Sequence, residues 1–235
     1  MSQFTAEHQP ALQPAPAKTG GRGHDITSKR QDELDAQSIK AVVDGVAAGR
    51  PVTVLDLGGG YGTQSVRFAE AGATVTMIDR GDMAAAAFNA AVESGRVAKD
   101  KLTLQQSDFG KLAAADVPDG IDVFYSQRAI HYVPYADAAQ ALSLIFNKMA
   151  PGGKAFISAA GFDTEYGKTY PDRDKPVAER YAFLAPDMQE KHDIRHKIVT
   201  YSEGDMAELL TKTGFTDVQV TRSDFGNIKA MGRKP

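Results

Sequence analysis

The order of apolar and polar positions breaks most of this chain into alternating strand-like and helix-like segments. Short runs of β-branched and apolar residues at 52–57, 73–78, 102–106, 121–125 and 154–159 read as strands buried on both faces. Helical periodicity fills the gaps between them at 63–71, about 82–94 and about 135–149, the last with Ala138, Leu142, Ile145, Phe146 and Met149 on one side. A helix over about 28–48 precedes the first strand. Ile39, Val42, Val43 and Val46 form its apolar side, and Asp25 or Thr27 can cap it. Near the end come a helix over 203–213, the turn Gly214-Phe215, and strands at 217–222 and 227–233. Phe225-Gly226 makes the last link a short hairpin, so the final strand returns antiparallel. Strand and helix in alternation predict an α/β fold on a largely parallel sheet.

The first strand runs into Gly58, Gly59, Gly60 and Gly62 and then into a helix, the opening βα unit of a nucleotide-binding sheet. Glycine suits a tight turn that a ligand approaches closely, and the helix beyond offers free N–H groups. Such a turn also serves packing alone. Three acids narrow the choice. Asp56 lies just before the glycines, where a diphosphate would be repelled; Asp79 closes the second strand, where an acid can bind ribose hydroxyls; Asp108 follows the third. Acids at three successive strand ends suit a ligand carrying an ammonium group, a ribose diol and an exocyclic amine. S-adenosylmethionine (SAM) has all three and no phosphate.

At Val54-Leu-Asp-Leu-Gly-Gly-Gly-Tyr-Gly62, Met77-Ile-Asp-Arg80 and Gln106-Ser-Asp-Phe109 the chain resembles the class I SAM-dependent methyltransferases of small-molecule type. The resemblance spans 50–160 and, less closely, 200–233. It implies a Rossmann-like, doubly wound sheet of seven strands, mostly parallel with an antiparallel last strand. It further implies that SAM, leaving as S-adenosylhomocysteine (SAH), is held by Asp56, Gly58, Gly59, Gly60, Gly62, Asp79, Arg80, Met83, Ser107, Asp108, Phe109, Ser126, Gln127 and Arg128. Core packing accounts for Met83 and Phe109 equally well. The leading helix would cover the pocket, with Arg22, His24 or Arg30 reaching the ligand carboxylate.

The loop Ser126-Gln-Arg-Ala-Ile-His-Tyr-Val133 would lie beside the donor methyl. It lacks the Asn/Asp-Pro-Pro-Tyr/Phe motif of amino-directed DNA methyltransferases, which discounts DNA as a partner. Its Ile130-His131 pair is similar to that of small-molecule and lipid-quinone methyltransferases. His131 is the candidate catalytic base, or else a residue that packs and orients the loop. Residues 161–200 are surplus to the sheet and rich in aromatics and prolines, with eight Asp/Glu against seven Lys/Arg. They read as a lid whose Tyr166, Tyr170 and Tyr181 meet the acceptor together with His131 and Tyr132, or as a dimer-forming arm. His192 and His196, four apart, would share a helix face without an acid to complete a metal site.

Composition trims the list. The chain has 235 residues, 42% hydrophobic and 24% charged, enough for one domain over 24–235 behind a flexible leader at 1–23. A net charge of −3 supplies no basic field for nucleic acid or anionic membrane. Absent cysteine removes disulfides, thiolate metal sites and a cysteine-nucleophile mechanism. No apolar run is long enough for a membrane span, so the cytoplasm is the expected location. The sequence thus predicts an enzyme methylating a small-molecule acceptor, with oxygen as the favoured atom. Protein or RNA methylation and a non-catalytic SAM-binding regulator are alternatives, and an NAD-dependent oxidoreductase is disfavoured by Asp56 and Asp108.

Overall fold

The computed structural model describes residues 32–235. The expected leader at 1–23 with its Arg22, together with His24, Arg30 and the expected helix start near Ser28, lies outside the described residues. Along the chain come α1 (Glu33–Ala47), β1 (Thr53–Leu57), α2 (Thr63–Glu70), β2 (Thr74–Asp79), α3 (Ala85–Glu93), β3 (Leu102–Gln106) and β4 (Ile121–Gln127). They are followed by α4 (Tyr135–Lys148), β5 (Met149–Ala159), α5 (Pro186–His192), α6 (Glu203–Thr213), β6 (Thr216–Arg222) and β7 (Ile228–Arg233). The seven strands form one sheet in the order β3-β2-β1-β4-β5-β7-β6. β7 runs antiparallel to both its neighbours, and the pairs between β3 and β5 are parallel. Chain order reverses direction between β1 and β4, which opens a crevice at their carboxyl ends.

Alternation along the parallel strands divides the core between the two faces. Leu55, Leu57, Ile78 and Phe124 pack with α4 and α6 on one side. Val54, Met77, Val123 and Tyr125 pack with α1, α2 and α3 on the other. Asp56 falls in register with Val54 and therefore points toward the α1 and α2 face, where it is fully buried.

The leading helix differs from expectation in its cap and in its buried face. Its N-cap is Asp32, which exchanges side-chain bonds with Asp35 in a capping box (Asp35 N to Asp32 Oδ1 3.1 Å, Asp32 N to Asp35 Oδ2 3.0 Å), so neither Asp25 nor Thr27 fills that role. The helix turns Leu34, Asp35, Ser38 and Val42 to the sheet and leaves Val43 and Val46 47% and 38% exposed. Polar residues can face inward there because their partners are waiting. The Tyr125 hydroxyl donates to Asp35, and Gln64 Nε2 reaches both Asp35 O and Ser38 Oγ at 3.4 Å. At the helix start, Asp32 accepts from Gln127 Nε2 at 3.2 Å and pairs with Lys229 at 3.1 Å.

Two strand ends also shift. β4 continues to Gln127 because Ser126 and Gln127 pair with Ile157 and Ser158. β5 begins at Met149, paired with Ile121, and not after the Pro151-Gly-Gly153 break. The glycines form an irregularity inside the strand, where Gly152 N donates to Lys234 O at 2.9 Å and Lys234 N to Gly153 O at 2.8 Å.

Residues 161–200 form a folded segment against the loop after β4, with its own small core of Tyr170, Leu184, Ile194 and Ile198 against Ala160. Its last residues belong to the main body: Val199 is in the α4-side core and its N–H donates to His131 O at 2.8 Å. α5 stops at His192 because Asp193 adopts φ 52, so His192 and His196 do not share a helix face. No helix of the described residues is long and apolar enough to cross a membrane.

The polar seam under α1 yields a stability expectation. Tyr125→Phe leaves the Asp35 carboxylate buried without its phenolic donor and should lower unfolding free energy by about 1–3 kcal/mol. Urea denaturation checks it; an unchanged midpoint and slope would mean that the helix does not dock through this bond.

Candidate active site

The crevice is built from loops that the parallel strands deliver to one edge. Gly58 has φ 73, and a Cβ there would lie 2.3 Å from that of Ala129, so the turn after β1 touches the loop after β4. Gly62, also at φ 73, starts α2 where a Cβ would meet Phe88 and Ala84 at 2.6 and 2.7 Å. Any side chain at either position would push these elements apart.

Asp79 ties the turn to the second strand. One carboxylate oxygen accepts from Gly60 N and the other from Gly81 N, both at 3.0 Å. A carboxylate has about four acceptor directions, so roughly two stay open for a diol. Asp108 lies one strand farther out, where its Oδ1 accepts from Gly110 N at 3.0 Å and caps a short turn. Ser107 is anchored by its N–H to Asp79 O at 3.0 Å. Deeper in, Asp56 Oδ2 accepts from Ser65 Oγ at 2.6 Å, while Oδ1 is buried with no partner among the described residues. Burial, more than the Ser65 bond can offset, raises its pKa to about 7, and Asp79 and Asp35 push the same way.

On the β4 side Ser126 is turned away from the crevice, its hydroxyl donating to Leu57 O at 3.0 Å. Gln127 is engaged with Asp32. Arg128 holds a left-handed backbone, φ 51, fixed by its N–H to Ser158 O and Oγ, each at 3.0 Å. His131 follows on a short 3₁₀ turn, 1% exposed. Its Nδ1 faces Ala160 N at 3.4 Å, and its Nε2 is buried without a partner among the described residues. An imidazole whose Nδ1 accepts carries its proton on Nε2, so this tautomer donates from Nε2. Burial, with Arg128 and His196 adding to it, lowers the His131 pKa to about 3.

Aromatic rings from the insertion close over this loop. Tyr132 lies between His131 and His196, ring centroids 4.1 and 4.8 Å away. Tyr181 Oη reaches Tyr132 O at 3.4 Å. Tyr166 packs edge-on to His192 at 5.1 Å. Tyr170 is differently placed: its hydroxyl donates to Ile198 O at 2.7 Å and accepts from Ala182 N at 3.1 Å, making it a strut of the insertion. Met83 is 47% exposed beside the Asp79 turn, and Phe109 packs against the α4-side core. Among the described residues no cluster of three or more His, Cys, Asp or Glu side chains is placed to hold a metal.

Sequence reading passed over Asp32, Asp35 and Tyr125. The Asp32-x-x-Asp35 spacing is a capping-box signal that would have located the helix start. Nothing local announces Tyr125 as the partner of Asp35, because the two are 90 residues apart in sequence.

Asp56 makes the apo protein pH-dependent. Its folded-state pKa stands above the unfolded value of 3.8, so the proton it binds stabilises the fold at low pH, and this is lost as pH rises through about 7. His131 acts oppositely: kept neutral when folded, it favours the unfolded state as pH falls from 6.5 toward 3. Asp56→Asn should therefore be more stable than wild type at pH 8 by roughly 1–3 kcal/mol, the cost of a buried group lacking a partner, with the gap closing by pH 5. Denaturation curves for both proteins at the two pH values check this, and a gap of constant size would refute it.

Comparison with known proteins covers the same ground. Residues 54–153 match the family described as Methyltransferase domain. No curated protein matches the chain. Similar solved structures include the 1,6-didemethyltoxoflavin-N1-methyltransferase of Burkholderia thailandensis: 20% identity, 91% of this chain and 82% of that one covered, TM-score 0.60. The magnesium protoporphyrin IX methyltransferase of Synechocystis gives 18% identity, 86% and 84% coverage, and a TM-score of 0.56. An O-methyltransferase family protein of B. thailandensis gives 18% identity, 92% and 60% coverage, and 0.58. The chain spans 55%, 60% and 57% of the length of three such structures. At these identities the likeness is one of fold. The family match, however, lies on the very strands and turn that carry Asp56, Asp79 and Asp108, so residues 54–153 are similar to a methyltransferase domain and the chain shares its fold with SAM-dependent methyltransferases.

Proposed function

We propose that this protein moves a methyl group from SAM to an oxygen of a small-molecule acceptor. The observation that carries the reading is the pair of acids at the glycine turn. Asp56 presents a buried oxygen with no donor among the described residues, and Asp79, held by two backbone N–H groups, keeps acceptor capacity to spare. A ligand bringing an ammonium and a ribose diol satisfies both, while a diphosphate would meet two carboxylates. Asp108 is positioned for an exocyclic amine. When bound, SAM supplies an electrophilic methyl on a sulfonium.

The chain's own residues then bind, align and dry the site. Proximity and exclusion of water can supply much of the acceleration for an in-line displacement. The insertion, with Tyr132, Tyr166 and Tyr181, acts as the lid that excludes water. His131 meets the acceptor through Nε2. In the tautomer described above it donates a hydrogen bond that orients the acceptor oxygen; service as a base would require exchanging the weak 3.4 Å contact to Ala160. The neighbours named for 1,6-didemethyltoxoflavin and magnesium protoporphyrin IX, and one named for O-methyl transfer, support a small-molecule acceptor.

SAH should bind and raise the melting temperature, since ligand at 100 times its Kd adds about 2.7 kcal/mol, whereas NAD should not. Asp79→Ala should weaken SAH binding by roughly 2–3 kcal/mol, the loss of charge-assisted bonds to a diol. Titration calorimetry reads both effects; stabilisation by NAD and none by SAH would sink the reading.

His131→Ala should lower kcat about 10–100-fold with SAH affinity within about twofold. Because its pKa is held near 3, the wild-type rate should show no step from His131 between pH 5 and 8. A step near 6.5 that vanishes in the variant would restore a titrating base.

A further inference from the structure

Arg80 and Arg128 stand at the carboxyl ends of β2 and β4, the two strands that flank β1. Arg80 follows Asp79 at the end of β2, and Arg128 follows Gln127 at the end of β4. Among the described residues Arg50, Arg96, Arg180, Arg195 and Arg222 each have a carboxylate within salt-bridge distance, but neither Arg80 nor Arg128 does. Arg128 is also held at φ 51, a conformation disfavoured for any residue with a Cβ, by two hydrogen bonds to Ser158. Backbone strain of this kind persists where the surroundings enforce it, and it collects at binding sites.

Both cations act on the aromatic mouth described above. The field of Arg128 reaches His131, Tyr132 and Tyr166; that of Arg80 reaches Tyr132, Tyr181 and His196. They converge on Tyr132. A third cation, Lys197, stands 5.9 Å from the ring centroids of both Tyr181 and Phe183. The acids facing this mouth, Asp108 and Asp137, are felt by Tyr181, on the same side as the short turn Asp108 caps.

Resting on the methyltransferase reading, we infer that the acceptor is a planar aromatic acid, its ring against Tyr132, Tyr166 and Tyr181 and its carboxylate taken by Arg80 and Arg128. Guanidinium matches a carboxylate as a planar fork and stacks on aromatic rings, so two of them beside tyrosines select for charge and flatness together. This gives the two arginines a task on the acceptor and not on the cofactor.

The test uses the full chain, titrated with 4-hydroxybenzoate and 4-hydroxycinnamate and with the primary amide of each, in the presence and absence of SAH. The acids should bind at least about tenfold more tightly than their amides, the scale of a charge-assisted pair. Arg80→Gln and Arg128→Gln should each remove most of that preference while SAH affinity stays within about twofold. Arg128→Gly should do the same yet melt at a higher temperature, because glycine accepts the left-handed backbone, and this shows that the loss is not one of folding. Acids and amides that bind alike, or no acid binding at all, would overturn the inference and leave the methyltransferase reading intact. An equal loss of SAH affinity in the arginine variants would also overturn it, assigning the guanidiniums to the cofactor's carboxylate. If wild type fails to bind SAH, the methyltransferase reading falls, and the acid-to-amide comparison without SAH still decides the inference.

Discussion

One carboxylate holds the glycine turn in place. Asp79 accepts from the backbone of Gly60 and of Gly81, so the loop after β1 and the loop after β2 are fixed to each other through a single side chain. Beside it, Gly58 approaches Ala129 so closely that the loop after β4 becomes part of the same unit. Everything in the crevice is measured from this junction: Asp56 beneath it, Asp108 to one side, and Arg128 and His131 to the other. Two charge-assisted bonds to backbone N–H groups stiffen a segment that its glycines would otherwise leave loose.

The chemistry of the site follows from how much of it is dry. Burial raises the pKa of Asp56 and lowers that of His131, so both titratable groups nearest the proposed reaction are driven toward neutrality. Around them the strand ends carry Asp79 and Asp108, with Arg80 directly after Asp79 and Arg128 after β4, so acidic and basic side chains are interleaved along the same edge of the sheet. In the seam of Asp35, Tyr125 and Gln64 under α1, each inward polar group is given a partner.

The insertion is attached firmly to the main body. Its central part has a separate small core, but Val199 is built into the main one, and Val199 N–H is bonded to the carbonyl of His131. Any shift of the insertion is therefore felt at the loop after β4. Arg180, bonded to Asp205 at the start of α6, makes a second anchor.

By itself the sequence determined the strands, their helices, the antiparallel return of β7, the glycine turn and the acids at three strand ends. All of these are local: a run of six residues, a 3.6-residue period or a glycine cluster carries its own signal. Tertiary structure decided the rest. It turned α1 so that Asp35 and Ser38 face inward in place of Val43 and Val46, because Tyr125 and Gln64 lie opposite. It began β5 at Met149, because Ile121 was there to pair with it, and it made Tyr170 a strut by offering Ile198 O and Ala182 N. It also ended α5 at the left-handed Asp193, which separates His192 from His196 and sends His196 to Tyr132. In these cases the energy lies in contacts between residues distant in sequence, or in a backbone state that only the surrounding packing enforces, and a local pattern carries no record of either.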